Sequence, residues 1–132
     1  MDRERIVARL RDALVGRPEV AAAYLYGSVA RGRGRPGSDV DLGVLWRGDP
    51  PATLEGLGLA IEADLEAAVG RPLQVVVLQR APVDLVHRIL RDGVLVVERD
   101  PSARVRFEVK ARRDYFDLLP HLRRYRRLEA TP

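Results

Sequence analysis

The sequence predicts an α/β (α+β) fold, in which a small mixed sheet of about four strands is flanked by helices and followed by a long C-terminal helix. Two observations lead to this prediction. Short apolar runs of strand length recur along the chain, and segments with a helical apolar stripe separate them. No repeat or low-complexity linker interrupts the pattern. Residues 1–132 are therefore expected to form a single domain.

The first half of the chain is predicted to contain two helical segments and two strands. Ile6, Leu10 and Leu14 fall on one helical stripe, which Gly16 and Pro18 end. The run VAAAYLY is apolar throughout, which is typical of a buried strand. The predicted elements are a helix over Asp2–Leu14, a strand over Val20–Tyr26, a helical turn from Gly27 and Ser28, and a strand over Asp39–Trp46.

The second half continues the alternation of helices and strands. Asp49 is a suitable N-cap for a helix that Gly70 ends, with a stripe of Leu54, Leu57, Ile61, Leu65 and Val69. The elements expected after it are a strand over Pro72–Gln79, a helix over Pro82–Arg91, a strand over Val94–Glu98 and a long helix from Pro101 to about Glu129. Pro120 is expected to kink or break the last helix.

Composition limits the classes of function. The 132 residues include no cysteine, which excludes disulfides, thiolate metal sites and cysteine nucleophiles. The net charge is +4, and all but one of the cationic residues are arginine, so phosphate-bearing partners are plausible. We expect a soluble, cytoplasmic protein without a membrane partner, because no apolar run reaches the length of a signal peptide or a membrane span.

The segment from Gly27 to Arg31 is a candidate phosphate-binding turn. Glycine lets the backbone approach a ligand closely, and Ser28 brings a hydroxyl and an N–H group to the start of a helical turn. Arg31 lies three residues further on, on the same helical face as Ser28. Helix capping by a Gly-Ser pair is the simpler structural explanation of this segment.

Asp39 and Asp41 are candidate metal ligands and catalytic residues. Their side chains point to the same face of the predicted strand, about 6.6 Å apart along it. A solvated strand start gives the same pattern, but two unpaired acids on a buried strand would cost several kcal/mol each. Mg²⁺ is commonly held by one or two carboxylates and the phosphates of a substrate. The two segments together therefore suit a nucleoside triphosphate with its metal ion.

Gly27-Ser28, ten intervening residues and Asp39-Val40-Asp41 together resemble the GS-x10-DxD signature of the DNA polymerase β-type nucleotidyltransferase superfamily. The segment GSVARGRGRPGSDVDL is similar to the form found in its minimal nucleotidyltransferase (MNT) family, and the layout of nearly the whole chain is similar too. The resemblance implies an antitoxin that transfers AMP from ATP to a tyrosine of a HEPN-family toxin. It implies Mg²⁺ or Mn²⁺ at Asp39 and Asp41, triphosphate binding at Gly27 and Ser28, and a phosphate contact at Arg31.

One position departs from the superfamily pattern. A third carboxylate commonly comes from the next strand, and the aligned residue here is Gln74, a poorer metal ligand and proton acceptor. Glu62, Asp64 or Glu66 would substitute for it only if the preceding helix faces the site. The alternative to an enzyme is therefore a catalytically weakened, nucleotide-binding antitoxin that neutralises its toxin by binding.

The remaining signals are weaker. His87 and His121 lack metal-ligand spacing, so no chemistry is assigned to them. The arginines around Tyr125 leave RNA open as another partner, although a solvated helix end gives the same pattern; they are Arg123, Arg124, Arg126 and Arg127. The apolar residues before them are expected to divide between the core and a partner-docking face; they are Tyr115, Phe116, Leu118, Leu119 and Leu122.

Overall fold

A computed structural model describes residues 2–35 and 37–130, excluding the side chains of 54, 57, 129 and 130, and in these residues four strands form one mixed sheet. The strands are β1 (Val20–Tyr26), β2 (Val40–Trp46), β3 (Leu73–Val77) and β4 (Val94–Glu98). Their order across the sheet is β3-β2-β1-β4. β1 is antiparallel to both β2 and β4, and β2 is parallel to β3. The predicted fold class and the ends of β1 and β4 are thus confirmed.

Helices cover both faces of the sheet. They are α1 (Arg3–Leu14), α2 (Gly27–Ala30), α3 (Leu59–Val69), α4 (Val83–Asp92) and α5 (Pro101–Ala130). Short 3₁₀ turns lie at Leu54–Leu57 and Leu78–Arg80. Within the described residues, no helix is both long enough and apolar enough to cross a membrane.

The larger apolar cluster lies between one face of the sheet and helices α1 and α3. The predicted stripe of α1 is fully buried there, and the helix begins where the Asp2 side chain accepts a hydrogen bond from the backbone N–H of Arg5 at 2.9 Å. Ile61, Leu65 and Val69 of α3 join the same cluster. Val40, Leu42 and Val44 of β2 face these helices, as the alternation in that strand predicts.

The second cluster lies on the opposite face, beneath α4 and α5. Ile89 of α4 packs there with Leu45 and Leu78, and Phe107 of α5 lies against them. Gly43 makes the close approach of α4 possible, because a Cβ on it would lie 3.2 Å from Cγ2 of Ile89. The face of β2 that carries Asp41 is therefore covered by α4 in its middle, whereas Asp41 lies near the start of the strand.

The helix predicted from Asp49 begins later than expected. A 3₁₀ turn comes first, and α3 starts at Leu59, after Gly58 takes a left-handed conformation with φ 78°. The physical reason lies in a distant side chain, since Nη2 of Arg80 donates hydrogen bonds of 2.8 Å to the carbonyl oxygens of both Pro50 and Pro51. These carbonyls are therefore held in a loop. The side chains of the predicted stripe residues Leu54 and Leu57, and residue Pro36 of the predicted loop, lie outside the described residues.

Two further boundaries differ from prediction in small ways. β2 begins at Val40, so Asp39 lies just before the strand. β3 ends at Val77, because the chain turns into the 3₁₀ segment that contains Leu78, whose side chain is needed in the second cluster.

The long helix α5 continues through Pro120, so the predicted break is wrong. Proline removes one helical hydrogen bond, to the carbonyl of Phe116, and water can replace it because this part of the helix is open, with Phe116 62% exposed. The prediction that the apolar residues near Pro120 divide between the core and a partner-docking face is wrong about the core. All five of them are only partly buried or exposed, because α5 runs beyond the sheet that its first turns cover.

Candidate active site

The end of β1 and the start of β2 bring Gly27 and Asp41 into contact. Tyr26 is paired with Asp41 across the antiparallel strands, so the chain passes the Asp41 side chain as it leaves β1. A Cβ on Gly27 would lie 2.5 Å from Oδ2 and 3.3 Å from Cγ of Asp41. Gly27 also has a φ of 79°, which residues with a side chain rarely adopt. The turn and the acidic strand therefore meet at this point, and glycine is the residue that permits it.

Asp39 and Asp41 lie close enough to repel each other. Asp39 is exposed just before β2, whereas Asp41 is half-buried within the strand. Burial raises the pKa of the Asp41 carboxyl above its ordinary value, and the negative charge of Asp39 raises it further. A cation bound between the two carboxylates would relieve both effects.

The residues at this edge fit a divalent metal that shares its coordination with a substrate. Among the described residues, no arginine, lysine or histidine forms an ion pair with Asp39 or Asp41. Within the same part of the chain, no group of three or more His, Cys, Asp and Glu side chains is arranged to hold a metal by itself. Two carboxylates leave most of the coordination sphere to water and phosphate oxygens, which is the arrangement that Mg²⁺ favours.

Gln74 lies beside Asp41. The two residues are partners in the parallel register of β2 and β3, so their side chains share a face of the sheet, and Gln74 is exposed. The amide predicted to stand in the place of a third carboxylate is therefore next to the acidic pair. It offers an oxygen ligand there but no charge and no basic group.

The acidic residues of α3 do not face Asp41. Glu62 accepts a hydrogen bond of 3.0 Å from the backbone N–H of Val75, where it covers the outer edge of β3. Asp64 is ion-paired with Arg17, and Glu66 is exposed on a helix that packs against the opposite face of the sheet. None of the three can replace the missing carboxylate without a rearrangement of α3.

Ser28 and Arg31 occupy different surroundings. Ser28 is half-buried in α2, next to Gly27, and so remains beside the acidic pair. Arg31 ends α2 and is exposed. Its charge acts on Asp92 at the end of α4, where the pKa of Asp92 is lowered first by the hydrogen bonds from Arg91 and to a smaller degree by Arg31. Arg31 is therefore near α4, and neither Asp39 nor Asp41 pairs with it.

Two residues at this site, Tyr26 and Arg88, were not predicted from the sequence. Burial raises the pKa of the Tyr26 hydroxyl, the charge of Asp41 raises it further, and the charge of Arg88 on α4 opposes both. Arg88 thus brings a positive charge to the same region as Asp41. The available signal was Gly43, since a glycine within an apolar strand indicates close packing of another element, here the helix that carries Arg88.

Comparisons with known proteins concern the family and the fold of the chain. A search of curated proteins finds no significant match to the chain. The sequence profile of the family described as "Polymerase beta, Nucleotidyltransferase" matches residues 8–102.

Three similar solved structures share the fold. A toxin–antitoxin structure with AMP-PNP has 23% identity and a TM-score of 0.67 and covers 97% of this chain and 94% of the other chain. An MntA–HepT toxin–antitoxin structure has 19% identity, a TM-score of 0.66 and coverages of 95% and 93%. A structure of the tri-AMPylated Shewanella oneidensis HEPN toxin with its MNT antitoxin has 21% identity, a TM-score of 0.60 and coverages of 96% and 90%.

The family match spans most of the chain and includes both halves of the motif, Gly27-Ser28 and Asp39-Val40-Asp41. The family expected from that motif is thereby confirmed. The likeness to the toxin–antitoxin structures is a likeness of fold. The chain belongs to the polymerase β nucleotidyltransferase family.

Proposed function

We propose that this protein is a metal-dependent nucleotidyltransferase that acts as the antitoxin of a HEPN/MNT pair and transfers AMP from ATP to a tyrosine of the toxin. The observation that carries the proposal is the contact between Gly27 and Asp41. It sets a turn without a side chain against an acidic pair that has no cationic partner among the described residues. A triphosphate and its metal ion need both features in one place.

The residues of the site have separate roles in the proposed reaction. The turn at Gly27 and Ser28 accepts the triphosphate, because nothing larger than hydrogen projects from Gly27. Asp39 and Asp41 would hold Mg²⁺ or Mn²⁺, and a metal ion bound there would supply charge neutralisation for the phosphates and activation of the attacking hydroxyl. The guanidinium of Arg88 adds positive charge on the α4 side of the same region.

The acceptor reaches the site from the open end of the sheet. Helices α1 and α3 cover one face, and α4 and α5 cover the middle of the other, whereas Asp39 is exposed. In the transfer, the tyrosine oxygen forms a bond to the α-phosphorus as the bond to pyrophosphate breaks, and the phenol proton passes to water because Gln74 cannot accept it. Catalysis then depends mainly on positioning and charge neutralisation.

The choice of acceptor is supported by similarity of fold. One similar structure contains AMP-PNP, and another contains a tri-AMPylated HEPN toxin with an MNT antitoxin. This chain shares their fold over nearly its whole length. A protein tyrosine is therefore the first acceptor to test.

The test is label transfer from ATP labelled at the α-phosphate to a co-expressed HEPN toxin. Wild-type protein with Mg²⁺ should label the toxin, and Asp39→Ala should lower the rate roughly 100-fold or more, since a bound metal supplies several kcal/mol of transition-state stabilisation. Asp12→Ala, which removes an exposed carboxylate from α1, is the matched control and should label normally. Equal labelling by Asp39→Ala and wild type would exclude AMP transfer at this site.

A second function is favoured by Gln74. If the Gln74 amide beside Asp41 makes the site unable to catalyse AMP transfer, the protein neutralises its toxin by binding to it and covering its surface. Growth of cells that express the toxin separates the two functions. Rescue by wild type but not by Asp39→Ala supports transfer, whereas equal rescue by both supports occlusion.

A further inference from the structure

We propose that Arg71 is a positioning residue that fixes Asp39 for metal binding by holding the turn that precedes it. This inference rests on the proposed function, because it assigns Asp39 to the metal. Arg71 lies between the end of α3 and the start of β3, more than thirty residues from Asp39 along the chain. It belongs to neither half of the sequence motif.

The guanidinium of Arg71 binds two carbonyl groups of that turn. Nη2 donates a hydrogen bond of 2.6 Å to the carbonyl oxygen of Ser38 and one of 3.2 Å to that of Arg35. The carbonyl of Ser38 belongs to the peptide bond that leads into Asp39. A hydrogen bond to this carbonyl therefore restrains the orientation of the planar peptide group that joins Ser38 to Asp39.

Asp39 needs such a restraint because little else holds it. It precedes the first residue of β2, and its side chain is exposed, so neither the strand ladder nor the core fixes it. The turn before it is closed by its own hydrogen bonds, from Ser38 N to the Arg35 carbonyl at 2.9 Å and from Arg35 N to Ser38 Oγ at 2.8 Å. Among the described residues of this turn, the hydrogen bonds that connect the turn to another part of the structure all come from Arg71.

The backbone on both sides of Arg71 is held by hydrogen bonds. The residue before it, Gly70, ends α3 with a φ of 75° and donates its N–H to the carbonyl of Glu66 at 2.8 Å. The residue after it, Pro72, accepts a hydrogen bond of 2.9 Å from the N–H of Val40. The same short segment thus holds the backbone on both sides of Asp39, through Ser38 and through Val40.

Direct binding of phosphate is the rival role for Arg71, because its side chain also lines an open cavity of about 480 Å³ with Arg3 and Arg31. The two roles make different predictions. A phosphate ligand contributes to ATP binding with or without metal. A residue that positions Asp39 contributes only when the metal binds.

The chain offers a matched control in Arg80. Its Nη2 also donates to two carbonyl groups of a loop, those of Pro50 and Pro51 at 2.8 Å each, but that loop leads to no acidic site residue. Arg80→Ala therefore removes the same number of guanidinium–carbonyl bonds as Arg71→Ala. Arg71→Lys keeps the positive charge and one donor group. It is the second variant to measure if Arg71→Ala folds poorly.

The experiment measures Mn²⁺ affinity in the presence of ATP by electron paramagnetic resonance, and ATP affinity separately in EDTA. Arg71→Ala should weaken Mn²⁺ binding about 10–100-fold, as loss of a residue that orients a metal ligand typically does, with an intermediate value for Arg71→Lys. ATP affinity in EDTA should stay unchanged. Arg80→Ala should match wild type in both measurements.

Equal Mn²⁺ affinity in Arg71→Ala and Arg80→Ala would overturn the proposal, and equal losses of ATP affinity with and without metal would make Arg71 a phosphate ligand instead. Backbone NMR order parameters at Asp39 decide the matter without metal or activity, and they should fall in Arg71→Ala and not in Arg80→Ala. Failure of the proposed function has another signature, namely that wild type itself transfers no AMP.

Discussion

The carboxylate of Asp41 lies in the space that a side chain at Gly27 would occupy, so that a Cβ there would come 2.5 Å from Oδ2. This separation is shorter than any ordinary contact between carbon and oxygen. A residue other than glycine must therefore move the carboxylate or the turn. The relationship joins the two halves of the sequence motif in space.

Gly27→Ala should lower both stability and nucleotide binding. The left-handed conformation, with φ 79°, costs a residue with a side chain about 1–2 kcal/mol, and displacement of Asp41 should weaken binding of ATP with Mg²⁺ by about tenfold or more. Urea unfolding and isothermal titration calorimetry measure the two effects. Gly48→Ala is the control, because Gly48 has a φ of 71° and no atom within 4 Å of the position that a Cβ would take. If both variants bind nucleotide equally well, the contact with Asp41 has no role in binding.

Asp41→Asn should stabilise the metal-free protein at neutral pH. The folded-state pKa of Asp41 is raised by burial and then by Asp39, so the folded state binds its proton more tightly than the unfolded chain, whose value is about 3.9. The charged carboxylate therefore costs stability at pH 7. This cost shrinks as the pH falls through the raised folded-state pKa and is absent below the unfolded value.

Thermal melting in EDTA between pH 7 and pH 3 measures this difference. The melting temperature of Asp41→Asn should exceed that of wild type at pH 7 and approach it at low pH. Addition of Mg²⁺ and ATP should reverse the order, because only wild type keeps both metal ligands. Asp117→Asn, on the exposed side of α5, should follow wild type throughout. A wild-type protein more stable than Asp41→Asn in EDTA at pH 7 would show that burial of the Asp41 charge and its repulsion by Asp39 cost the folded state nothing net.

How far the fold could be predicted depends on whether the determinants are local. The strand Val20–Tyr26 is correct at both ends because its apolar run stops at a glycine that the turn requires. The helix expected from Asp49 ends at Gly70 as predicted, but its predicted start is wrong. The start is decided by Arg80, about thirty residues away, whose guanidinium holds two carbonyl groups in a loop. Helix propensities and capping patterns depend on residues that are close in the sequence, so they cannot reveal such a distant hydrogen-bond donor.

The same distinction applies to the candidate site. Gly27 and Asp41 could be paired in advance because they lie in adjacent segments that form one turn and one antiparallel pair of strands. Arg71 and Arg88 could not, because their nearness depends on the register of β3 and on the packing of α4 over Gly43. Both residues are arginines in a chain rich in arginine, so residue type alone did not distinguish them.

Tyr24→Phe should destabilise the protein without affecting the site. The Tyr24 hydroxyl donates a hydrogen bond of 2.7 Å to Oε1 of Glu108, which joins β1 to α5. Removal of a hydrogen bond to a charged group costs about 1.5 kcal/mol, and urea unfolding should report a loss of this size. Tyr125→Phe is the control, since Tyr125 is 61% exposed. Equal unfolding free energies for the two variants would mean that the bond to Glu108 contributes nothing net.

Gln74→Asp should raise the rate of AMP transfer. Gln74 is the parallel partner of Asp41, so a carboxylate there would lie on the same face and would add a metal ligand and a proton acceptor for the attacking hydroxyl. A positioned general base is worth about 10²–10⁴-fold in rate, and single-turnover labelling of the toxin should detect a gain at the lower end of that range. Gln74→Asn is the matched control, because it differs from Gln74→Asp in charge and basicity but hardly in size.

The same pair of variants tests whether the added charge acts at the metal site. In EDTA, Gln74→Asp should be less stable than Gln74→Asn, because a third carboxylate joins Asp39 and Asp41 without a cation. Mg²⁺ with ATP should stabilise Gln74→Asp more than Gln74→Asn. If the two variants transfer AMP at the same rate although Gln74→Asp gains more from Mg²⁺, the amide at residue 74 does not limit catalysis. The proton of the tyrosine then leaves by a route that needs no third carboxylate.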